Sequence, residues 1–319
     1  MVALDSGLRH DAPMSRRRLL IAPAVLAAGL LAVAACAPNN SGQSSSGTLS
    51  PIPTTANPPS SSSVPTPDDP CAKDKLSLIN AGKLTIGTDS PAYPPYFEDD
   101  DPSNGKGFES AVAYAVAKNL GFTTDEVQWI VVPFNKSYAP GAKDFDFDIN
   151  QISITPKRAE VVTFSDGYYT VNQAVIALAD SPVANATSLA QLQAAKLGAQ
   201  VGTTSLSYIT EFIKPTQEPY VYNDTNDAKT ALRNGQIEAI VVDLPTAFYI
   251  TAVEIPKGKI VGQFPAVDGY EQFGMLFQKD NPLAICVDKV LSGMKDSGEL
   301  EQITNDWLVG GADAPYFTE

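Results

Sequence analysis

Twice in this chain an alternating strand runs into a short polar turn and then a helix start, a unit that few folds accommodate. The first is Asp146-Phe147-Asp148-Ile149-Asn150-Gln151-Ile152-Ser153-Ile154-Thr155-Pro156-Lys157-Arg158. Phe145, Phe147 and Ile149 supply one face of a strand, Thr155 suits a helix N-cap, and Pro156 suits the first helical position. Arg158 then stands in the first helical turn. There exposed N–H groups and the helix dipole already favour an anion, and a guanidinium adds a two-pronged contact. The competing reading is a surface Arg158 paired with Glu160 or Asp166. In the second unit a strand over Lys196–Val201 meets Gly202-Thr203-Thr204-Ser205 and a helix through Ile213. A further apolar strand, Ile237–Asp243, ends in a carboxylate, at the kind of strand end where open α/β sheets bind ligands.

The surrounding pattern extends this alternation. Lys83–Asp89 is an alternating strand that breaks into an aromatic loop, Ser90 to Phe97, stiffened by three prolines. Gly107–Leu120 places Phe108, Val112, Val116 and Leu120 at helical spacing, and a strand follows around Val127–Pro133. After Phe164 the pattern starts afresh with a β-rich run, Tyr169–Leu178, matched in character by Gln272–Gln278; these two are expected to be paired crossings between lobes. Helices are expected over Ala228–Gly235, from Asn281 to Met294 and over Glu299–Leu308. Trp129 and Trp307 are read as core residues. Strands alternating with helices argue for an α/β fold with largely parallel sheets. The expected boundaries are residues 71–172 with 270–319 for one lobe and 173–269 for the other.

The N-terminus has a different character. Arg16-Arg17-Arg18, an apolar run from Leu19 to Ala35, and small residues ahead of Cys36 have the layout of residues 1–36 as a secretory signal. The residues before Cys36 resemble the bacterial lipobox, in which that cysteine is acylated. An uncleaved anchor and a twin-arginine export route remain the alternatives. Residues 37–70 are almost all Ser, Pro, Thr, Asn and Gly, a composition that cannot bury enough surface to order itself. Such a tether reaches about 30 Å.

The formal net charge is −14, and removal of the signal makes the remainder more negative, which speaks against nucleic acid and against direct adhesion to anionic lipid. The chain's 3 cysteines leave Cys71 and Cys286 once Cys36 carries lipid. In an oxidising compartment they are expected to form a disulfide, with two buried thiols as the alternative. The single histidine, His10, lies in the signal, so the folded part has no imidazole for general-base or metal work. Asp99-Asp100-Asp101 reads as a solvated turn rather than a calcium site. No metal or cofactor is expected.

In their order and spacing, Ile86-Gly87-Thr88-Asp89, Tyr93-Pro94-Pro95-Tyr96, Gly107-Phe108-Glu109, Asp148 to Arg158, Gly202-Thr203-Thr204, Ala239 to Asp243 and Ser297-Gly298-Glu299-Leu300 resemble the bacterial extracellular solute-binding proteins of family 3, the amino-acid receptors of ABC importers. The resemblance spans Lys83 to Leu308. It implies a two-lobed periplasmic-binding-protein-like fold of type II, with two α/β lobes on a two-strand hinge closing on an amino acid. Arg158 would hold the α-carboxylate with the Thr203 and Thr204 end of the other lobe, and Asp243 would take the α-amino group. Ser153 and the backbone near Gln151 would add hydrogen bonds, while Tyr93 and Phe134 pack against the side chain; Asp89 completes the set. Many relatives carry small residues at Asn150 and Gln151, and here the bulkier amides point to a polar or acidic amino acid.

The resulting expectation is a non-enzymatic, monomeric lipoprotein on the outer face of the membrane that hands an amino acid to ABC permease subunits. Two other functions compete with it. One is a cyclohexadienyl-dehydratase-like enzyme using Asp89 or Asp243 as the acid. The other is a ligand-sensing domain for a signalling partner.

Overall fold

The computed structural model describes residues 69–264, 271–308 and 314–318. The expected signal, Cys36 and nearly all of the tether lie outside the described residues. Along the chain the strands and helices are β1 (Leu84–Thr88), α1 (Phe108–Asn119), β2 (Val127–Val131), α2 (Phe134–Ser137), β3 (Phe147–Asp148), α3 (Pro156–Ala159), β4 (Val162–Phe164), β5 (Tyr169–Val171) and β6 (Gln173–Leu178). There follow β7 (Leu197–Gln200), α4 (Thr204–Tyr208), β8 (Tyr220–Tyr222), α5 (Thr225–Arg233), β9 (Ala239–Asp243), α6 (Leu244–Tyr249), β10 (Gly258–Gln263), β11 (Glu271–Phe273), β12 (Leu276–Gln278), α7 (Leu283–Ser297) and α8 (Glu299–Trp307).

These strands form two five-stranded sheets, ordered β2-β1-β3-β12-β4 and β10-β6-β9-β7-β8, and a two-stranded ribbon of β5 and β11. β1 is buried along its whole length and pairs in parallel with β2 and β3, so that Thr85 and Thr88, the polar positions of its alternation, are enclosed as well. The sheets are mixed rather than largely parallel. β12 comes from the ribbon without a crossover helix and runs antiparallel to β3 and β4, while β6 lies antiparallel to β9 and β10.

The two long β-rich runs each divide. Tyr169–Val171 pairs with Glu271–Phe273 as the crossing ribbon, whereas Gln173–Leu178 joins the second sheet and Leu276–Gln278 the first. The break in the first run falls at Asn172, whose amide is drawn to Gln263 Oε1 at 2.8 Å. Helix starts follow their caps: α5 begins ahead of Ala228 because the Asp224 carboxylate accepts the Asp227 N–H at 2.9 Å. α1 begins after Gly107, at φ +93°, where a Cβ would stand 2.4 Å from the Tyr96 carbonyl oxygen. That close approach ties the helix to the aromatic loop.

One core gathers Leu84, Ile86, Phe108, Val112, Phe147 and Phe277 under the first sheet; Trp129 and Trp307 pack on it while keeping partial exposure. Others form on the two faces of the second sheet. The chain's last residues depart from expectation. Counted with the first lobe, residues 314–318 in fact pair with the second: Phe317 donates its N–H to Gln263 O at 2.9 Å and Thr318 to Thr187 O at 3.0 Å. The Phe317 ring lies 5.9 Å from that of Phe264. A single aromatic docking against a strand carries no periodicity by which sequence could place it.

Cys71 and Cys286 are bonded, with their Cα atoms 5.3 Å apart across a sequence separation of 215. The bond fastens the segment before β1 to α7, beside an ion pair of Lys289 Nζ with Asp69 at 2.9 Å. Closing so long a loop constrains the unfolded chain, so the Cys71→Ser/Cys286→Ser double variant is expected to lose about 2–5 kcal/mol in urea denaturation without changing fold.

Candidate ligand-binding site

Between the sheets the two lobes meet face to face, and their main clasp is made by Arg158. Thr155 caps α3 by accepting the Arg158 N–H at 3.2 Å, and Pro156 opens the first turn, so the guanidinium is carried toward the cleft. Arg158 is 8% exposed. Nη1 donates to Ser153 O at 2.7 Å, and Nη2 crosses to Gly202 O in the other lobe at 2.9 Å. Its carbon lies 4.7 Å from the Tyr138 ring centroid and 5.5 Å from that of Phe134, a cation–π arrangement. Among the described residues Arg158 forms no salt bridge, so the surface pairing with Glu160 or Asp166 is not what the chain adopts. Gly202 is also approached by the Tyr138 hydroxyl, 3.3 Å from its carbonyl oxygen. Its φ is +75°, and an added Cβ would lie 2.3 Å from both Asn135 Oδ1 and the Tyr138 hydroxyl. Only glycine lets the lobes come this close.

Beside the clasp lies a cavity of about 60 Å³, room for a few water molecules. Eight of the ten ligand-contact residues expected from sequence line it: Asp89, Tyr93, Phe134, Asn150 and Gln151 from the first lobe, and Thr203, Thr204 and Asp243 from the second. Ser153 and Arg158 stand off its wall. Ser153 instead bonds Glu271 at 2.5 Å and lies 3.3 Å from Thr204 Oγ1 across the cleft. Thr203 spends its hydroxyl within its own lobe, donating to Gln200 O and capping α4 at Leu206 N. Asn150 is 5% exposed and its Nδ2 is buried without a hydrogen-bond partner, as is the Tyr93 hydroxyl. Such groups are costly unless something polar meets them.

A family model described as bacterial extracellular solute-binding proteins, family 3, matches residues 84–310. The chain belongs to that family. The arginine-binding extracellular protein ArtP of Bacillus subtilis (strain 168) is 28% identical over 235 residues, covering 72% of this chain and 87% of ArtP. Among solved structures, an ancestral arginine-binding protein bound to arginine is 29% identical with a TM-score of 0.61, over 72% of this chain and 99% of the other. The ancestral amino acid-binding protein AncCDT-1, described as a precursor of cyclohexadienyl dehydratase, is 28% identical with a TM-score of 0.60, over 71% and 95%. The fold is therefore the type II periplasmic-binding architecture, and the chain is an exported solute-binding protein.

This solute-binding protein adds Glu271, Asp148 and Glu109 to the two acids, Asp89 and Asp243, that sequence placed at the site. Asp243 accepts from Gln173 Nε2 at 2.6 Å, and the same nitrogen lies 3.3 Å from Glu271 Oε2. Burial, then the neighbouring Glu271, holds the Asp243 carboxyl well above its usual range. Burial also raises Asp89, whose oxygens accept from Ser90 N at 2.8 Å and Phe134 N at 3.2 Å. Asp148 lies fully buried behind the wall with neither oxygen hydrogen-bonded; desolvation lifts it well above the ordinary value. Glu109, in the first turn of α1, is raised by burial from 4.5 to about 7. Gln173, Glu271 and Glu109 were missed because each stands beside another polar residue, Asn172, Gln272 and Ser110, and reads as a solvent-facing position until the tertiary fold encloses it. The signal for Glu109 was its place inside the helical face formed by Phe108, Val112 and Val116.

These shifts fix a pH dependence. An acid whose folded-state pKa is raised contributes stability that is fully present below its unfolded value and lost as pH rises through the folded value. For Glu109 that window runs from 4.5 to about 7, and Asp148 and Asp243 act with the same sign. The depressed carboxyl of Glu126, at about 2, matters only in stronger acid. The unliganded protein is accordingly expected to melt at lower temperature at pH 8 than at pH 5.5, and Asp148→Val to reduce the difference. Thermal denaturation across this range checks both.

Proposed function

We propose that this chain captures an amino acid with a polar or cationic side chain between its lobes, and delivers it as a lipid-anchored receptor to an ABC importer. The observation that carries the reading is the cavity wall itself, where Asp89 of one lobe and Asp243 of the other face the same space beside the Arg158 guanidinium. A zwitterion answers both signs of charge: an ammonium for Asp243 and a carboxylate for Arg158. When the lobes part, Arg158 Nη2 loses the Gly202 carbonyl, and a ligand carboxylate takes that place. Thr204 then contributes from the second lobe on reclosure.

The wall also bears on the side chain. Asn150 and Gln151 offer amides and Asp89 offers a carboxylate, whereas Lys229, whose Nζ lies over the Tyr93 ring at 5.4 Å, is bound at 2.7 Å to Glu254. An acidic side chain, one of the two classes expected from the amides, would meet carboxylates, with no Lys or Arg among the described residues of the cavity wall. Arginine binding by relatives such as ArtP fits the same preference. Cys36 would carry the lipid and residues 37–70 would let the lobes stand clear of the membrane. We read the site as binding without turnover, its acids held by Gln173, Ser90 and Phe134 rather than presented to a reacting bond.

A thermal-shift screen of the twenty amino acids is the direct test, since a ligand at one hundred times its Kd adds about 2.7 kcal/mol. Arg158→Lys keeps the charge but not the planar fork and is expected to lose most of that shift; binding unchanged by it would remove the carboxylate role. Asn150→Ala is expected to retain binding while changing the order of preferred ligands.

A further inference from the structure

Behind the pocket wall, one carboxylate holds one lining residue by both its backbone and its side chain. Gln151 has φ +47°, the left-handed region that a residue with a side chain rarely occupies. Its N–H donates to Glu109 Oε1 at 2.7 Å, and its side-chain Nε2 donates to Glu109 Oε2. The Tyr168 hydroxyl donates to Oε1 at 2.5 Å. Glu109 is 0% exposed, and among the described residues no cation pairs with it. We propose that Glu109 is the positioning residue for the Gln151 face of the pocket, so that solute recognition requires Glu109 in its ionised form. The proposal deepens the reading of the cavity as the solute site.

The chemistry follows from counting donors. Three N–H and O–H groups converge on two carboxylate oxygens, and the anion accepts all three while bringing no donor of its own. A protonated Glu109 gains an O–H donor in a place already full of donors, and at least one of the three contacts must open. Gln151 is the least supported of the partners, since its conformation is intrinsically unfavourable, whereas Tyr168 is packed between Phe108 and Phe273. The other titratable groups facing Glu109 are Asp148 on β3, Tyr96 in the aromatic loop and Asp243 across the cleft. None of these can supply positive charge. Burial places the Glu109 transition at about 7, so the switch falls within the range an exported protein meets. Protonation thus raises the stability of the fold and loosens the pocket, two opposite consequences of one proton.

The test follows the Gln151 backbone amide of the full chain by nitrogen-15 NMR between pH 5 and 9, with no ligand added. The expected result is a titration with its midpoint near neutrality in the wild type and a flat response in Glu109→Gln. Calorimetry with each of the twenty amino acids at pH 8 and 5.5 supplies the second readout. The best binder is expected to weaken about tenfold at the lower pH, the loss of one hydrogen bond. Glu109→Gln is expected to show the weak affinity at both pH values, and Gln151→Ala to weaken binding with Glu109 intact. A Gln151 amide that does not titrate in the wild type overturns the proposal without any variant having to fold. So does a Glu109→Gln protein with wild-type affinity and pH profile. If no amino acid binds at either pH, the amino-acid reading falls, while the Gln151 titration still decides the positioning role.

Discussion

The contact of Arg158 with the Gly202 carbonyl is the point on which the rest of this molecule turns. It joins two lobes whose sheets, among the described residues, share no strand pairing, alongside the β5–β11 ribbon and the contacts of Tyr138 with Gly202 and Ser153 with Thr204. Two backbone carbonyls now satisfy a guanidinium that would otherwise be buried and unpaired, at considerable cost. On the function proposed above, the same two carbonyls would make the arginine exchangeable, because a carboxylate is a stronger acceptor than an amide oxygen. The α3 cap, the glycine at position 202 and the rings of Tyr138 and Phe134 are all arranged around that contact.

Against this buried guanidinium stands an excess of buried acid. Asp89, Asp148, Glu109 and Asp243 are each raised by desolvation, so the fold carries an electrostatic strain that a ligand ammonium would relieve. Tension of this kind is common where a site is prepared for a charged partner. It gives a physical reason why binding and stability should respond to pH in opposite directions: stability favours neutral carboxyls, whereas recognition uses their charge.

Much of the fold was legible because its determinants are local. Thr155 and Pro156 announce the start of α3, Gly202-Thr203 the start of α4, and the alternation of Lys83–Asp89 the presence of β1. The cysteine pairing followed from having two candidates in one compartment. The candidate site was partly legible, since strand ends and helix starts must gather at sheet edges, and eight of the expected residues do line one cavity. What sequence could not reveal depends on contacts between distant segments. The partner of Arg158 is a backbone carbonyl 44 residues away, the importance of Glu109 lies in Gln151, and Phe317 settles on the second sheet through packing alone.

The central claim is that solute is held by closure of the lobes at the Gly202 approach, with its carboxylate on Arg158 in place of the Gly202 carbonyl. It is tested most directly by small-angle X-ray scattering on Gly202→Ala, whose added methyl would sit 2.3 Å from Asn135 Oδ1 and the Tyr138 hydroxyl. With the amino acid that most stabilises the wild type, the wild-type radius of gyration should contract, whereas the variant should remain folded, extended and unresponsive. A Gly202→Ala protein that contracts and binds as the wild type does would contradict the account.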